Sequence, residues 1–340
     1  MRIVALVILS FVFALQAQAQ ETDVRKLHET AKTFIRTGDY SNALMILERA
    51  LQIEPKDLEL LKDYAFTLYL KKDNARALEV AKPFAERKDV DVQAYQILAM
   101  IYKALEERKE SEKLYKAALK KFPASGALYN EYGEMLWAKK DFGEAAKQWE
   151  KGIEKDPNFS GNYYNVSKYY YFSQDKWWGL IYGELFVNLE SYSQRTVEIK
   201  GMLLDGYKKL FTGGDIFKGQ DIKNEFVAAG LGLMQKHSTS IINTGITPET
   251  ITILRSRFIL DWYTQYATKF PFRLFEHHHQ LLRMGLMDAY DQWIFGAAAN
   301  LASYQQWTAT HGETNKEFLR LQQNRVFKIP LGQYYQTVTK

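Results

Sequence analysis

The residues best suited to chemistry in this chain are the run His277-His278-His279 and the carboxylates Asp261, Asp288 and Asp291. Imidazoles and carboxylates at ligand spacing hold zinc, and a paired acid and base can move protons. The spacing argues against both. Consecutive helical residues project about 100° apart, so three adjacent imidazoles cannot converge on one ion. The positions one turn from His277 are Arg273 and Leu281, and Glu276 lies on another face. Acidic pairs such as Asp288 with Asp291 occur in every helical protein. The chain has no His-Glu-x-x-His, no Gly-x-Ser-x-Gly, no phosphate-binding glycine loop and no cysteine for a thiolate. The expectation is a protein with no catalytic residue, no metal site and no cofactor.

A second feature suits binding. Residues 163–178 contain Tyr163, Tyr164, Tyr169, Tyr170, Tyr171, Phe172, Trp177 and Trp178, half of the segment. Aromatic side chains bury large area at low entropic cost and make good contact points. Such a cluster serves an external ligand or a second part of the same chain.

Composition narrows the setting of these residues. The chain opens Met1-Arg2, runs apolar from Ile3 to Leu15, and reaches Ala17-Gln18-Ala19 before the charged Glu21-Thr22-Asp23. That order reads as a secretory signal peptide over 1–19. No later stretch is apolar enough to span a bilayer, so the mature chain is expected to have no integral membrane span, with the periplasm as its compartment. With no cysteine, stability in an oxidising compartment must come from packing. The net charge is +5, and residues 194–340 carry 17 Lys and Arg against 12 Asp and Glu. This mild, unclustered surplus does not make a nucleic-acid footprint.

The elements that must position the aromatic cluster come from a repeat. Units starting at Val24, Leu58, Val92, Gly126 and Ser160 are each 34 residues apart. Residue 8 of each is small: Ala31, Ala65, Ala99, Gly133 and Ser167. Residue 20 is small as well: Ala43, Ala77, Ser111, Ala145 and Gly179. Residues 4 and 11 are large, as in Leu27 with Phe34 and Tyr163 with Tyr170. Positions 4, 8 and 11 share one helical face, as do 20, 24 and 27. Small residues let the two helices of a hairpin cross closely while large ones fill the gaps. Pro55, Pro123 and Pro157 at residue 32 end the second helix. Repeat two lacks that proline, and repeat five departs at residues 24 (Gly183) and 32 (Ser191).

This pattern resembles the tetratricopeptide repeat family over residues 24–193. The resemblance implies an all-α, right-handed superhelical solenoid of helical hairpins with a concave groove for proteins or peptides. It also implies that residues 2, 5, 9, 12 and 13 of each first helix line the groove. On that basis the groove candidates are Lys32, Arg36, Phe66, Tyr69, Trp137, Tyr164, Lys168, Tyr171 and Phe172, basic at one end and aromatic at the other. Some members clamp a C-terminal carboxylate. Here residue 6 is Glu29, Asp63, Ile97 and Glu131 in the first four repeats, and the acids at three of them would repel one.

A repeat array needs a cap on its open apolar end. Residues 194–211 are expected to supply it, with Val197, Met202, Leu203 and Leu210 as apolar contacts. Beyond lies an irregular helical region, 212–340, with apolar stripes at Ile251, Leu254, Phe258, Ile259, Trp262 and Tyr266 and at Leu281, Leu282, Leu286, Tyr290, Trp293 and Ile294, then an aperiodic tail from Val326. The expected function is a non-catalytic secreted scaffold or adaptor for a protein or peptide partner, in an envelope assembly or export machine. Two alternatives are a carbohydrate- or small-ligand-binding protein using the aromatic cluster, and an enzyme with its site between the two halves.

Overall fold

The structure, a computed structural model, describes residues 23–336, so the expected signal segment 1–19 lies outside the described residues. The described residues are all-α, with no strand among them. The chain divides into two compact units, Met1–Pro123 and Ala124–Lys340. The first holds α1 (23–37), α2 (Tyr40–Ile53), α3 (Leu58–Leu70), α4 (Asn74–Ala81), α5 (Val92–Ala104) and α6 (Arg108–Lys121). The second begins with α7 (Gly126–Ala138), α8 (Phe142–Lys155), α9 (Ser160–Phe172), α10 (Lys176–Leu189) and α11 (Gln194–Thr212). It continues with α12 (Glu225–Lys236), α13 (Thr239–Thr244), α14 (Pro248–Gln265), α15 (Arg273–Arg283) and α16 (Met287–Asp291). A π-helical turn, Gln292–Gly296, leads into α17 (Ala297–Ala299), α18 (Leu301–Thr310) and α19 (Gly312–Asn324).

Local chemistry repeats with the hairpins. Asp57, Asp91, Ser125 and Ser193 stand one residue before α3, α5, α7 and α11, and each accepts a hydrogen bond from a first-turn backbone N–H. Such caps satisfy donors that the helix cannot. Phe159, the equivalent residue before α9, makes no side-chain cap. Between the two helices of a hairpin the chain turns through a left-handed residue: Gly38, Lys72, Glu106 and Lys140, with φ of 79°, 67°, 59° and 65°. Each donates its N–H to the carbonyl three residues back, closing the end of the first helix. Repeat two diverges at its second helix. Pro83 has no N–H to continue the ladder, α4 stops at Ala81, and a 3₁₀ turn follows over Lys82–Glu86.

The small and large positions pack as complements. Ala31, Ala65, Ala43, Ala77 and Ala145 are fully buried. Gly133 lies against Trp149, and a methyl group there would come within 2.2 Å of the indole nitrogen. Trp149 in turn donates from Nε1 to the carbonyl of Asn130, 3.1 Å away. The departure at Gly183 also has a partner, since Leu203 and Ile199 of α11 fill the space that a side chain would take. The start of α11 at Gln194 keeps the 34-residue step from Ser160. The α11 helix buries Ile199, Leu203, Leu204, Tyr207 and Leu210, but Val197 points to solvent at 73% exposure.

Helices α12, α14 and α15 cover α10. Trp177 and Trp178 are buried, with Trp178 stacked on Phe226 and Phe226 packed in turn against Trp262, Phe270, Phe272 and Phe275. The tail then returns over repeat five. Asn158 exchanges two hydrogen bonds with the backbone of Ile329, at 2.9 and 3.0 Å. Asn224 donates to the carbonyl of Tyr335 at 2.7 Å, and Gln336 donates to the Tyr170 hydroxyl at 2.7 Å.

Candidate functional site

The first helices of the hairpins present the groove candidates, and side chains at related positions pair across neighbouring first helices. In the first unit His28 of α1 meets Asp63 of α3 at 2.7 Å, and Lys62 of α3 donates to Asp91 at 2.6 Å and Gln93 at 2.9 Å. Lys62 is buried; desolvation opposes its charge, but Asp91 and Glu59 outweigh it and raise its pKa. The carboxylates of this face are thereby spent on lysine and histidine. Lys32 is half-buried and pairs with Glu29 at 3.2 Å, while Arg36 is exposed and donates to Thr33 at 3.1 Å. Phe66 and Tyr69 are half-buried and stack at 6.2 Å.

Within the second unit a similar pairing runs through amides. Asn165 of α9 donates to Asn130 of α7 at 2.9 Å and to Glu134 at 3.1 Å. Tyr164 and Tyr171 then reach α11, each bonding the residue 34 positions later: Tyr164 donates to Glu198 at 2.6 Å and Tyr171 to Asp205 at 2.7 Å. Lys168 pairs with Glu198 at 2.7 Å, and Lys209 lies 3.9 Å from the Tyr171 ring centroid. Burial works against the Glu198 anion, but hydrogen bonds from Lys168 and Tyr164 hold its pKa below the ordinary value. Hydrogen bonds from Lys209 and Tyr171 do the same for Asp205.

The nine candidates therefore divide. Tyr164, Lys168 and Tyr171 are half-buried and tied to α11. Phe172 is 72% exposed with its ring edge-on to Tyr171, and Trp137 is 37% exposed against Phe142 and Trp149. Of the remainder, Tyr169 is half-buried and the other four face inward. Tyr163 and Tyr170 are packed between helices, and Trp177 and Trp178 lie under the C-terminal helices. A cavity beside Tyr171, lined by Lys176, Gly179, Gly183, Leu203 and Gly206, measures about 10 Å³. That is at or below the room one water needs.

A second constellation in this unit went unread in the sequence. Glu184 of α10 sits at the centre of a buried polar network. Arg255 of α14 bridges Glu184 and Asp291. His278 contacts Glu184 at 2.7 Å, Tyr290 donates to it at 2.8 Å, and Asn188 donates to the Tyr290 hydroxyl at 2.7 Å. Burial opposes the Glu184 anion, yet Arg255 and His278 hold its pKa down at about 2. Burial lowers the pKa of His278 and raises that of Asp291. A cavity of about 20 Å³, bounded by Trp177, Glu184, Arg255, Phe258, Phe275 and His278, has room for one water. The network is enclosed and offers a substrate no entry, so its chemistry is cohesive. The signal was present: Arg255 lies within the apolar stripe between Ile251 and Ile259, and a charge there requires a partner.

The histidine run separates as helical geometry demands. His277 and His278 are buried, and His279 stacks on Tyr263 at 3.8 Å. Asp261 is held by Lys236 at 2.6 Å and His237 at 2.8 Å, and Asp288 accepts from the Trp307 indole at 3.0 Å. No group of three metal-ligating side chains occurs among the described residues.

Family models agree with the hairpin architecture. Two models of the tetratricopeptide repeat match residues 34–101 and 98–160. No curated protein is significantly similar to the chain. Among solved structures, a thermophilic tetratricopeptide repeat protein of Thermus thermophilus is 18% identical, covering 53% of this chain and 99% of its own, with a TM-score of 0.44. A tetratricopeptide repeat protein from Parabacteroides merdae is 15% identical over 89% of this chain and 100% of its own, with a TM-score of 0.43. YrrB, a tetratricopeptide repeat protein with an unusual peptide-binding site, is 15% identical over 56% and 97%, with a TM-score of 0.38. The repeats of this class are protein-interaction scaffolds and are generally non-catalytic. Residues 34–160 thus carry tetratricopeptide repeats, within a chain whose described residues are all-α.

Proposed function

We propose that the protein is a non-catalytic scaffold of the cell envelope, exported by the signal segment 1–19 and acting in the periplasm, that holds a protein or peptide partner on the first-helix face of its hairpins. Residues 194–211 serve as the cap of the repeat array. The carrying observation is the state of that face in the second unit. Its polar side chains are already hydrogen-bonded to one another, while Phe172 at 72% exposure and Trp137 at 37% have no such commitment. An exposed large aromatic beside a rigid, satisfied polar surface has the composition of an interaction hot spot. Export is supported by the N-terminal sequence pattern, and no described helix is long and apolar enough to cross a membrane.

The test is affinity capture from the native envelope with the wild-type protein and with Trp137→Ala/Phe172→Ala. Tyr171 is unsuitable for this purpose, because its hydroxyl holds α11 through Asp205. A specific protein retained by the wild type and lost by the double variant, with unchanged thermal melting, supports the reading. Equal capture by both removes this face as the binding surface.

A further inference from the structure

Helices α14 and α15 form an open cleft of about 520 Å³ on the second unit, lined by none of the residues of the face just described. It is lined by Tyr263, Arg273, Glu276, His279, Gln280, Arg283 and Met284. The volume falls in the range of small-ligand sites. The lining is rich in donors: two guanidiniums, an amide, an imidazole and a phenol. The single carboxylate, Glu276, is already engaged by Arg273 at 3.2 Å. Arg283 has no ion pair among the described residues. The stacked rings of Tyr263 and His279 give one wall a flat surface, with centroids 3.8 Å apart.

A further guanidinium shares a ring with Arg273 and bonds only neutral acceptors, Asn188 and Gln322. Arg273 and Arg325 both lie against the Phe327 ring, at 5.4 and 4.9 Å from its centroid. The Nε and Nη1 atoms of Arg325 are buried and have no acceptor among the described residues. Neighbouring His277 is buried with both ring nitrogens unbonded, and an imidazole carries no negative charge to offset a guanidinium. Buried guanidiniums are ordinarily paired. An anion held between Arg273 and Arg283 would add negative charge to a lining whose one carboxylate is Glu276.

We infer that the α14–α15 cleft is a binding site for an oxyanion-bearing small ligand, with Arg273 and Arg283 as the charged donors and Gln280 as the neutral one. Guanidinium forks match the planar geometry of carboxylate and the oxygens of phosphate alike. The two sources of that chemistry are separated by the probes.

The experiment is calorimetric titration of the full mature chain with inorganic phosphate and, separately, with succinate, at constant ionic strength set by chloride. Saturable binding of at least one probe is expected. Arg283→Gln and Arg273→Gln should each weaken it at least tenfold, as the loss of a charge-assisted hydrogen bond implies. Arg283→Gln should melt like the wild type, because that side chain holds nothing else. Phosphate alone assigns a phosphoryl ligand, succinate alone a carboxylate, and both a site that reads charge. Absence of saturable binding with either probe, or equal affinity in the two variants and the wild type, overturns the site. Trp137→Ala/Phe172→Ala should bind the probes like the wild type, so this site and the partner-binding face fail or stand separately.

Discussion

Arg255 and Glu184 form an ion pair in the interior of the second unit, 71 residues apart in sequence and with only 3% and 6% of their side chains exposed. The pair ties α14 to the second helix of the fifth hairpin, so the C-terminal helices are joined to the repeats by charge as well as by aromatic packing. Removing one partner leaves the other buried and uncompensated. Arg255→Met should therefore cost about 3–5 kcal/mol. Urea unfolding measures it, as a lower midpoint at unchanged slope. A loss below about 1 kcal/mol would show that the pair is not intact in solution.

The contact of Gly133 with Trp149 makes a second prediction. A methyl group at 133 has no space, because the neighbour is a rigid indole anchored on the Asn130 carbonyl. Gly133→Ala should destabilise by about 1–3 kcal/mol, the usual range for overpacking, despite the better helix propensity of alanine. Gly133→Ala should cost less in a Trp149→Leu background than in the wild type, as a double-mutant cycle reads it. Denaturation of the single and double variants decides whether the strain lies between these two side chains.

The left-handed turn residues separate conformational strain from crowding. Gly38 has φ of +79°, and a methyl group added there would meet nothing within 4 Å. Gly38→Ala should therefore lose about 1 kcal/mol through backbone conformation alone. Lys140, at φ +65°, already bears that cost. Lys140→Gly should gain up to about 1 kcal/mol, the relief being partly offset by the freer unfolded chain. Opposite shifts in melting temperature are the expected result, and a loss on Lys140→Gly would contradict the account.

Glu150 sets a pH dependence. It is buried against the Tyr170 hydroxyl, and burial raises its pKa from 4.5 to about 7. The folded state thus holds a proton that the unfolded state releases above the ordinary carboxylate range. Stability from this group is present at low pH, falls as pH rises from about 4.5, and levels off above about 7. Glu150→Gln removes that decline and keeps an acceptor for Tyr170. The variant should match the wild type near pH 4.5 and exceed it by about 2–3 kcal/mol at pH 8. Unfolding curves across that interval test it, and parallel pH profiles for the two proteins would refute the assignment.

Much of the hairpin array could be read directly from residue spacing. Small residues at positions 8 and 20 of each unit and large ones at 4 and 11 announce helix pairs, because only that alternation lets two helices cross closely. The N-capping residues Asp57, Asp91, Ser125 and Ser193 carry the same period, a polar signal that runs in step with the apolar one. Among the groove candidates, the family resemblance assigned Tyr164, Tyr171 and Phe172 to the groove face. It did not distinguish them, because their fates depend on Glu198 and Asp205 of α11.

By itself the sequence determined the repeat, its helical register and the absence of recognisable catalytic motifs, since these follow from local periodicity and residue type. The tertiary structure decided which aromatic side chains remain exposed, what covers Trp177 and Trp178, and that Arg255 meets Glu184. Periodicity states which face of a helix is buried but not what it is buried against. That depends on segments far apart in the chain, whose packing and charge pairing arise only when the whole unit is assembled.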